Sequence, residues 1–232
     1  MLTPVNSFMK RNPRGRSKPH PNARDADEGP LKLRIVGGSM RGRPLRYTGD
    51  RRVRPMKDRT REAVFNLLGP RVRGMYAWDL FAGTGAMGFE AISRGAIGAT
   101  LIERHIPTSK LVRENAETLE IRPIVEIVQA DSCFWMRTAR VPESFREQSA
   151  PWVVFCCPPY SFYAEHADKI ERLMSDLQQL APAGSLLVVE AEIPYDVTAL
   201  IDGDWQVREY APAVVGIIEI GDAATVREST EM

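Results

Sequence analysis

Along residues 75–220 short apolar runs recur, at 75–81, 97–102, 124–128, 152–157 and 185–190, separated by stretches of helical period such as 107–119 and 163–180. Runs of this length predict strands, and the stretches between them predict helices. A strand that reaches its parallel neighbour through a helix does so as a right-handed crossover, so the pattern predicts a mostly parallel sheet in an α/β fold. Two last apolar runs, 205–210 and 214–220, are separated only by Ala211-Pro212-Ala213. That gap is too short for a crossover helix and predicts an antiparallel pair at the sheet edge, making seven strands.

Upstream the rhythm differs. Residues 31–36 alternate as a strand does, Gly37-Gly38 marks a turn, and 44–47 is placed to return as its partner, which predicts a small basic β-hairpin. Residues 58–68 predict a helix with Ala63, Val64, Leu67 and Leu68 on its buried face, Arg59, Arg61 and Glu62 toward solvent, and Gly69-Pro70 as its stop. Residues 1–30 carry almost nothing to bury and are expected to be a disordered basic tail. The expected domains are therefore the tail 1–30, an N-terminal extension 31–73 and a main domain 74–232.

A length of 232 residues with 44% hydrophobic content suits one sizeable core. No stretch approaches the roughly 18 apolar residues of a membrane helix, and the first residues lack the apolar segment of a secretory signal, so the expectation is cytoplasmic, with no membrane partner. The three cysteines and three histidines form no ligand cluster, which predicts a reducing compartment and no metal. Charge changes the picture more. Residues 1–74 hold 19 Lys/Arg against 6 Asp/Glu, and residues 75–232 hold 12 against 24. Such asymmetry points to a polyanion partner for the basic part, or else to a solvated basic tail.

The chemistry gathers at the strand ends. The first strand runs into Asp79-Leu80-Phe81-Ala82-Gly83-Thr84-Gly85-Ala86-Met87-Gly88, where glycines let backbone approach a ligand beyond the carboxyl end of the sheet. Gly83 to Gly88 also satisfies the spacing of a dinucleotide loop. An acid at its entrance would repel a pyrophosphate, however, and suits a cationic ligand such as the sulfonium of S-adenosylmethionine. Glu103 ends the next strand about 20 residues on, where a carboxylate can hold ribose hydroxyls. The alternatives are that Asp79 is a helix-capping or turn carboxylate and Glu103 a solvated strand end. Asp131 follows the third strand, either facing an adenine amino group or capping the helix 132–140. The fourth strand breaks at Pro158-Pro159-Tyr160, a rigid exit that leaves carbonyls and an aromatic ring able to stack on an extruded base.

These residues, with Ser93-Arg94-Gly95-Ala96 and the upstream Arg34-Ile35-Val36-Gly37-Gly38, Arg41-Gly42-Arg43, Arg54-Pro55 and Asp58-Arg59-Thr60-Arg61-Glu62, resemble the RsmD family of small-subunit ribosomal RNA guanine-N2 methyltransferases from about Leu31 to Ile220. The resemblance implies a Rossmann-like class I methyltransferase fold with S-adenosylmethionine as cofactor, S-adenosylhomocysteine as product, and ribosomal RNA or an assembling small subunit as partner. A monomer is the simpler expectation. It implies that Asp79, Gly83 and Gly85 meet the methionine part, Glu103 the ribose, and Asp131 and Ser132 the adenine, with Phe81, Ala82 and Arg104 also against the cofactor. Cys157, Pro158, Pro159 and Tyr160 correspond to the family's Asp-Pro-Pro-Phe/Tyr motif, and Arg41, Arg43, Arg54, Arg59 and Arg61 to its RNA grip.

Cys157 departs from that motif at the position whose carboxylate or amide accepts from the target amine, and a thiol is a weak acceptor. Three readings follow: the Cys157 and Pro158 carbonyls orient the amine, the chain keeps cofactor or RNA binding without catalysis, or the cysteine is itself a nucleophile on another substrate. Cys156, one step back on the strand, is expected in the core. Adenine-N6 methylation of DNA is an alternative of the same chemistry.

Overall fold

The computed structural model describes residues 33–47, 49, 55–138 and 150–221. The expected tail 1–30, Arg54 and the end of the helix predicted to reach residue 140 lie outside them. Residues from Lys32 onward belong to one compact unit.

Seven strands form one sheet: β1 (Tyr76–Asp79), β2 (Gly98–Ile102), β3 (Val125–Val128), β4 (Trp152–Cys156), β5 (Leu186–Glu192), β6 (Gln206–Tyr210) and β7 (Ala213–Glu219). Their order is β3-β2-β1-β4-β5-β7-β6. The first five pair in parallel, and β7 runs antiparallel to both β5 and β6, as the short 211–213 connection requires. The helices are α1 (Asp58–Leu68), α2 (Ala86–Ser93), α3 (Ile106–Thr118), α4 (Ser132–Thr138), α5 (Ser161–Glu165) and α6 (Ala167–Leu180). The single helix expected over 163–180 is broken at His166, whose φ of −143° leaves the helical region.

Alternation along the strands sends side chains to two cores. Ala77, Leu101, Phe155 and Val188 pack on one face with Val64, Phe89 and Val112 of α1, α2 and α3. Trp78, Ile102, Val154 and Leu187 pack on the other with Met136, Phe162 and Leu173 of α4, α5 and α6. Cys156 is buried in this second core as expected, while Cys157 packs against the first. The chain order reverses between β1 and β4, and that switch point is where an open α/β sheet leaves a crevice beyond its carboxyl ends.

The expected N-terminal hairpin is reduced to one antiparallel bridge, Arg34 with Pro44, flanked by backbone bonds such as Ile35 N to Arg43 O. Its turn is held from outside: Met40 N donates to Ser93 Oγ at 2.9 Å, Ser93 Oγ donates to Gly37 O, and Val36 N donates to Glu90 Oε2 at 2.8 Å. A Cβ on Gly38, whose φ is +73°, would lie 1.9 Å from the Ser93 carbonyl. Backbone contact with α2 therefore replaces a second ladder. Leu33, Ile35, Met40 and Leu45 join the first core, so the segment is continuous with the sheet domain.

Helix α1 forms where expected but turns a different face inward. Its buried positions are Arg61, Val64, Phe65 and Leu68, spaced i, i+3, i+4, i+7, and Arg61 is 0% exposed rather than solvent-facing. The guanidinium donates to the carbonyls of Arg34 and Met56 and to Asp58 Oδ1 at 2.8 Å, and it lies 3.8 Å from the buried Glu90 carboxylate. Charge partners and carbonyls offset its desolvation, which the apolar count alone does not reveal.

Candidate functional site

The carboxyl ends of β1 to β5 open into a cavity of about 560 Å³, a size usual for small-molecule sites. Its wall includes Phe81, Gly83, Glu103, Arg104, Asp131, Ser132, Cys157, Pro158, Pro159 and Tyr160, ten of the thirteen expected cofactor and catalytic residues. Asp79, Ala82 and Gly85 stand behind it. Glu190, Met56, Lys57, Thr60 and the Tyr210–Ala213 turn also line it.

The side over β1, β2 and β3 is built by backbone. Glu103 extends the β2 ladder, its N–H donating to Val128 O, and its carboxylate accepts from Gly83 N at 2.9 Å and from His105 N at 2.7 Å. Both oxygens are fixed at the lip of the cavity and keep lone pairs for further donors. The residues thus fit a nucleoside: a positioned carboxylate for vicinal hydroxyls, with Phe81, Ile102 and Ala130 as apolar walls. Ser132 Oγ donates to the Leu80 carbonyl, tying the start of α4 to the loop after β1. Asp131 is exposed, and its Oδ1 accepts from Phe134 N at 3.2 Å, so it does cap α4.

Two readings of the glycine loop change. Asp79 is buried and its Oδ2 accepts from Gly88 N at 3.0 Å, so it holds the start of α2. Burial pushes its carboxyl up to about 7 against the opposing Gly88 bond, with nearby Glu103 adding to the rise. Gly85, at φ +79°, was expected to make room for a ligand. A Cβ there would instead lie 2.5 Å from the Phe89 ring, so its glycine serves the packing of α2 on β2.

On the other side, over β4 and β5, the Pro158-Pro159 exit leads directly into α5, whose Phe162 N donates to Pro159 O at 2.8 Å. The Phe162 ring meets Phe81 edge-on at 5.6 Å, joining the two sides. Tyr160 OH donates to Glu190 Oε1 at 3.1 Å, and Tyr163 OH donates to the Glu190 carbonyl at 2.8 Å. Desolvation drives the Cys157 thiol well above its usual range, with Glu190 the next contributor. A thiol so disposed stays protonated, which removes the basis for the nucleophile reading. Glu190 is an acidic cavity residue that the sequence reading missed. Its signal was present: like Asp79 and Glu103, it is an acid following an apolar run at a strand's carboxyl end.

The expected phosphate grip divides. Arg41 and Arg59 are exposed. Arg43 is half-buried and donates to the carbonyls of Thr118 and Leu119 at the end of α3, where a cation also suits the helix dipole. Arg61 is sealed beneath α1 and presents nothing to an RNA. Among the described residues no His, Cys, Asp or Glu side chains cluster as a metal site, and no helix is long and apolar enough to cross a membrane.

Comparison with known proteins places this architecture. A family model described as conserved hypothetical protein 95 matches residues 33–210. The ribosomal RNA small subunit methyltransferase D of Escherichia coli K12 is 34% identical over 70% of this chain and 76% of its own. A putative rRNA methyltransferase of Bacillus subtilis, YlbH, is 30% identical over 73% of this chain and 90% of its own. Among solved structures, the putative methyltransferase yhhF from Escherichia coli superposes with a TM-score of 0.65 at 26% identity, covering 82% of this chain and 98% of that one. An RNA methyltransferase from Salinibacter ruber, solved with S-adenosyl-L-homocysteine, shares the fold at a TM-score of 0.54 and 18% identity, over 73% of this chain and 95% of that one. The fold is the Rossmann-like class I methyltransferase fold, and the chain belongs to the family of ribosomal RNA small subunit methyltransferase D.

Proposed function

We propose that the protein transfers a methyl group from S-adenosylmethionine to the exocyclic N2 amine of a guanine in small-subunit ribosomal RNA. The observation that carries this is one continuous cavity with a backbone-fixed carboxylate, Glu103, at one end and the Pro158-Pro159-Tyr160 exit at the other. The cofactor, when bound, supplies an electrophilic methyl on a sulfonium. Glu103 would hold its ribose; Phe81, Gly83, Arg104 and Ser132 would line its remainder. Tyr160 and the rigid backbone of Pro158 and Pro159 hold the flipped base so that its amine faces the methyl group, because such displacement depends on alignment at near contact. Asp131, already capping α4, keeps acceptor capacity toward an adenine amine. Arg41, Arg59 and Lys57 are placed to meet RNA phosphates, which position the substrate without reading its sequence.

Transfer of labelled methyl from S-adenosylmethionine to undermethylated small ribosomal subunits, with the product nucleoside identified by chromatography, tests the reading. N2-methylguanosine is expected. N6-methyladenine on naked DNA, or cofactor binding with no transfer to either substrate, would replace it.

A further inference from the structure

Among the described residues three carboxylates line the cavity: Glu103, Asp131 and Glu190. Glu103 and Asp131 follow β2 and β3, on the far side of β1 from the proline exit. Glu190 stands on β5, beside that exit. The parallel register pairs Phe155 with Val188 and Cys156 with Val189, and one further step sets Glu190 beside Cys157. Two aromatic hydroxyls anchor it: Tyr160, which ends the turn bearing the proposed base platform, bonds the side chain, and Tyr163, on α5 directly after that turn, bonds the carbonyl.

We propose that Glu190 accepts the hydrogen bond from the guanine amine, the task for which the Cys157 thiol is unsuited, and that Tyr160 positions Glu190 for it. The proposal rests on the guanine-N2 reading above. An exocyclic amine keeps its lone pair conjugated with the ring, and a carboxylate drawing on one N–H favours the pyramidal nitrogen whose lone pair is free to attack. That lone pair forms the new N–C bond as the C–S bond breaks. Sulfur retains the bonding pair and becomes neutral, and the surplus proton on nitrogen passes to the Glu190 carboxylate and thence to water. Guanine presents its N1–H beside the N2 amine, two adjacent donors for the two oxygens of one carboxylate. Adenine presents an acceptor, N1, beside its amine, which a carboxylate repels. A carboxylate accepts at about four lone-pair sites, so one carboxylate can serve a tyrosine hydroxyl and both guanine donors together. Glu190 thereby selects guanine as well as orienting it.

The test compares the full chain with Glu190→Gln, Cys157→Asp and the double variant, measuring methyl transfer to undermethylated small subunits and calorimetric affinity for S-adenosylhomocysteine. Glu190→Gln is expected to lower kcat by roughly 100-fold, as loss of one oriented hydrogen-bonding group does elsewhere, with cofactor affinity within about twofold. Cys157→Asp alone should bring no large gain in kcat, because the amine already has its acceptor in Glu190. Added to Glu190→Gln it should recover at least about tenfold, because it supplies a second acceptor at the same amine. Three results overturn the proposal: Glu190→Gln within about threefold of the parent, a parallel fall in cofactor affinity, or a large gain from Cys157→Asp alone. Failure of the double variant to recover while it still binds S-adenosylhomocysteine does so too. A parent protein that binds S-adenosylhomocysteine but methylates no guanine defeats the guanine-N2 reading itself, a result separate from any difference among variants.

Discussion

The two ends of the cavity hold their acids by different means. Glu103 is clamped by backbone N–H groups from its own loop and from the glycine loop, at 2.7 and 2.9 Å. Glu190 is steadied by side chains, the hydroxyls of Tyr160 and Tyr163. Backbone clamps follow from the fold and tolerate few alternatives. Side-chain clamps can be exchanged between neighbouring strands, and that is how one family position can hold a cysteine while the adjacent strand keeps a carboxylate. The end proposed to bind the cofactor is thus the more constrained, and the end proposed to meet the substrate is the one with room to vary.

Asp79 sets the rigidity of the first end, and its removal is expected to give the largest change. Its folded carboxyl is raised to about 7, whereas an unfolded Asp titrates near 3.9, so between those values the folded state binds more protons than the unfolded. Its favourable contribution is complete below about pH 4 and is lost as pH climbs through about 7. Asp79→Asn keeps an acceptor for Gly88 N and removes the charge. Denaturation of the cofactor-free protein should show the variant gaining on the parent from pH 5 to pH 8 by on the order of 3 kcal/mol. Parallel stability curves over that interval would mean that Asp79 is ionised throughout.

Glu103→Ala breaks the backbone clamp and should weaken S-adenosylhomocysteine binding by roughly a hundredfold, since hydrogen bonds to a charged group are each worth about 1.5–3 kcal/mol. Affinity retained within about threefold would remove the nucleoside role of this end.

The first end was also the more legible from sequence, for the same physical reason. Strand, glycine turn and helix are local signals, so β1, the loop and the place of Glu103 follow from spacing. The parallel pairing of the first five strands and the antiparallel edge pair follow from connection length. What spacing could not show was direction. Gly85 and Gly88 are glycines because Phe89 and Leu101 occupy the space of their Cβ atoms, a contact between α2 and β2. Arg61 looked solvent-facing because a charge was counted as polar, although 61, 64, 65 and 68 form one face of α1 and the partner Glu90 lies 29 residues away. Glu190 escaped because its meaning depends on β5 lying beside β4 and on Tyr160 reaching across, both tertiary facts.

Tyr160→Phe separates ring from hydroxyl at the second end. The stacking surface remains and the bond to Glu190 is lost, so kcat should fall about tenfold, the equivalent of about 1.4 kcal/mol for one hydrogen bond to a carboxylate. KM for the subunit and affinity for S-adenosylhomocysteine should change little. A rise in KM with kcat unchanged would assign Tyr160 to base stacking alone and leave Glu190 held by Tyr163 and its strand.

The smallest expected effect lies outside the cavity, on α1, where Arg59 and Arg61 sit two residues apart with opposite surroundings. Arg61 is enclosed by Asp58, Glu90 and two carbonyls, while Arg59 is exposed on the helix that brings Lys57 and Thr60 to the cavity wall. A phosphate contact at Arg59 would release close to one counterion, so Arg59→Ala should lower the slope of log affinity against log salt by about 1. Near physiological salt the affinity for small-subunit RNA should drop only a few-fold, and folding stability should not change. Equilibrium binding across a salt series is the measurement. An unchanged slope would take Arg59 off the RNA surface and move the electrostatic grip to Arg41, Lys57 or the basic residues that precede residue 33, whereas a stability loss would mean that Arg59 serves the packing of α1 as Arg61 does.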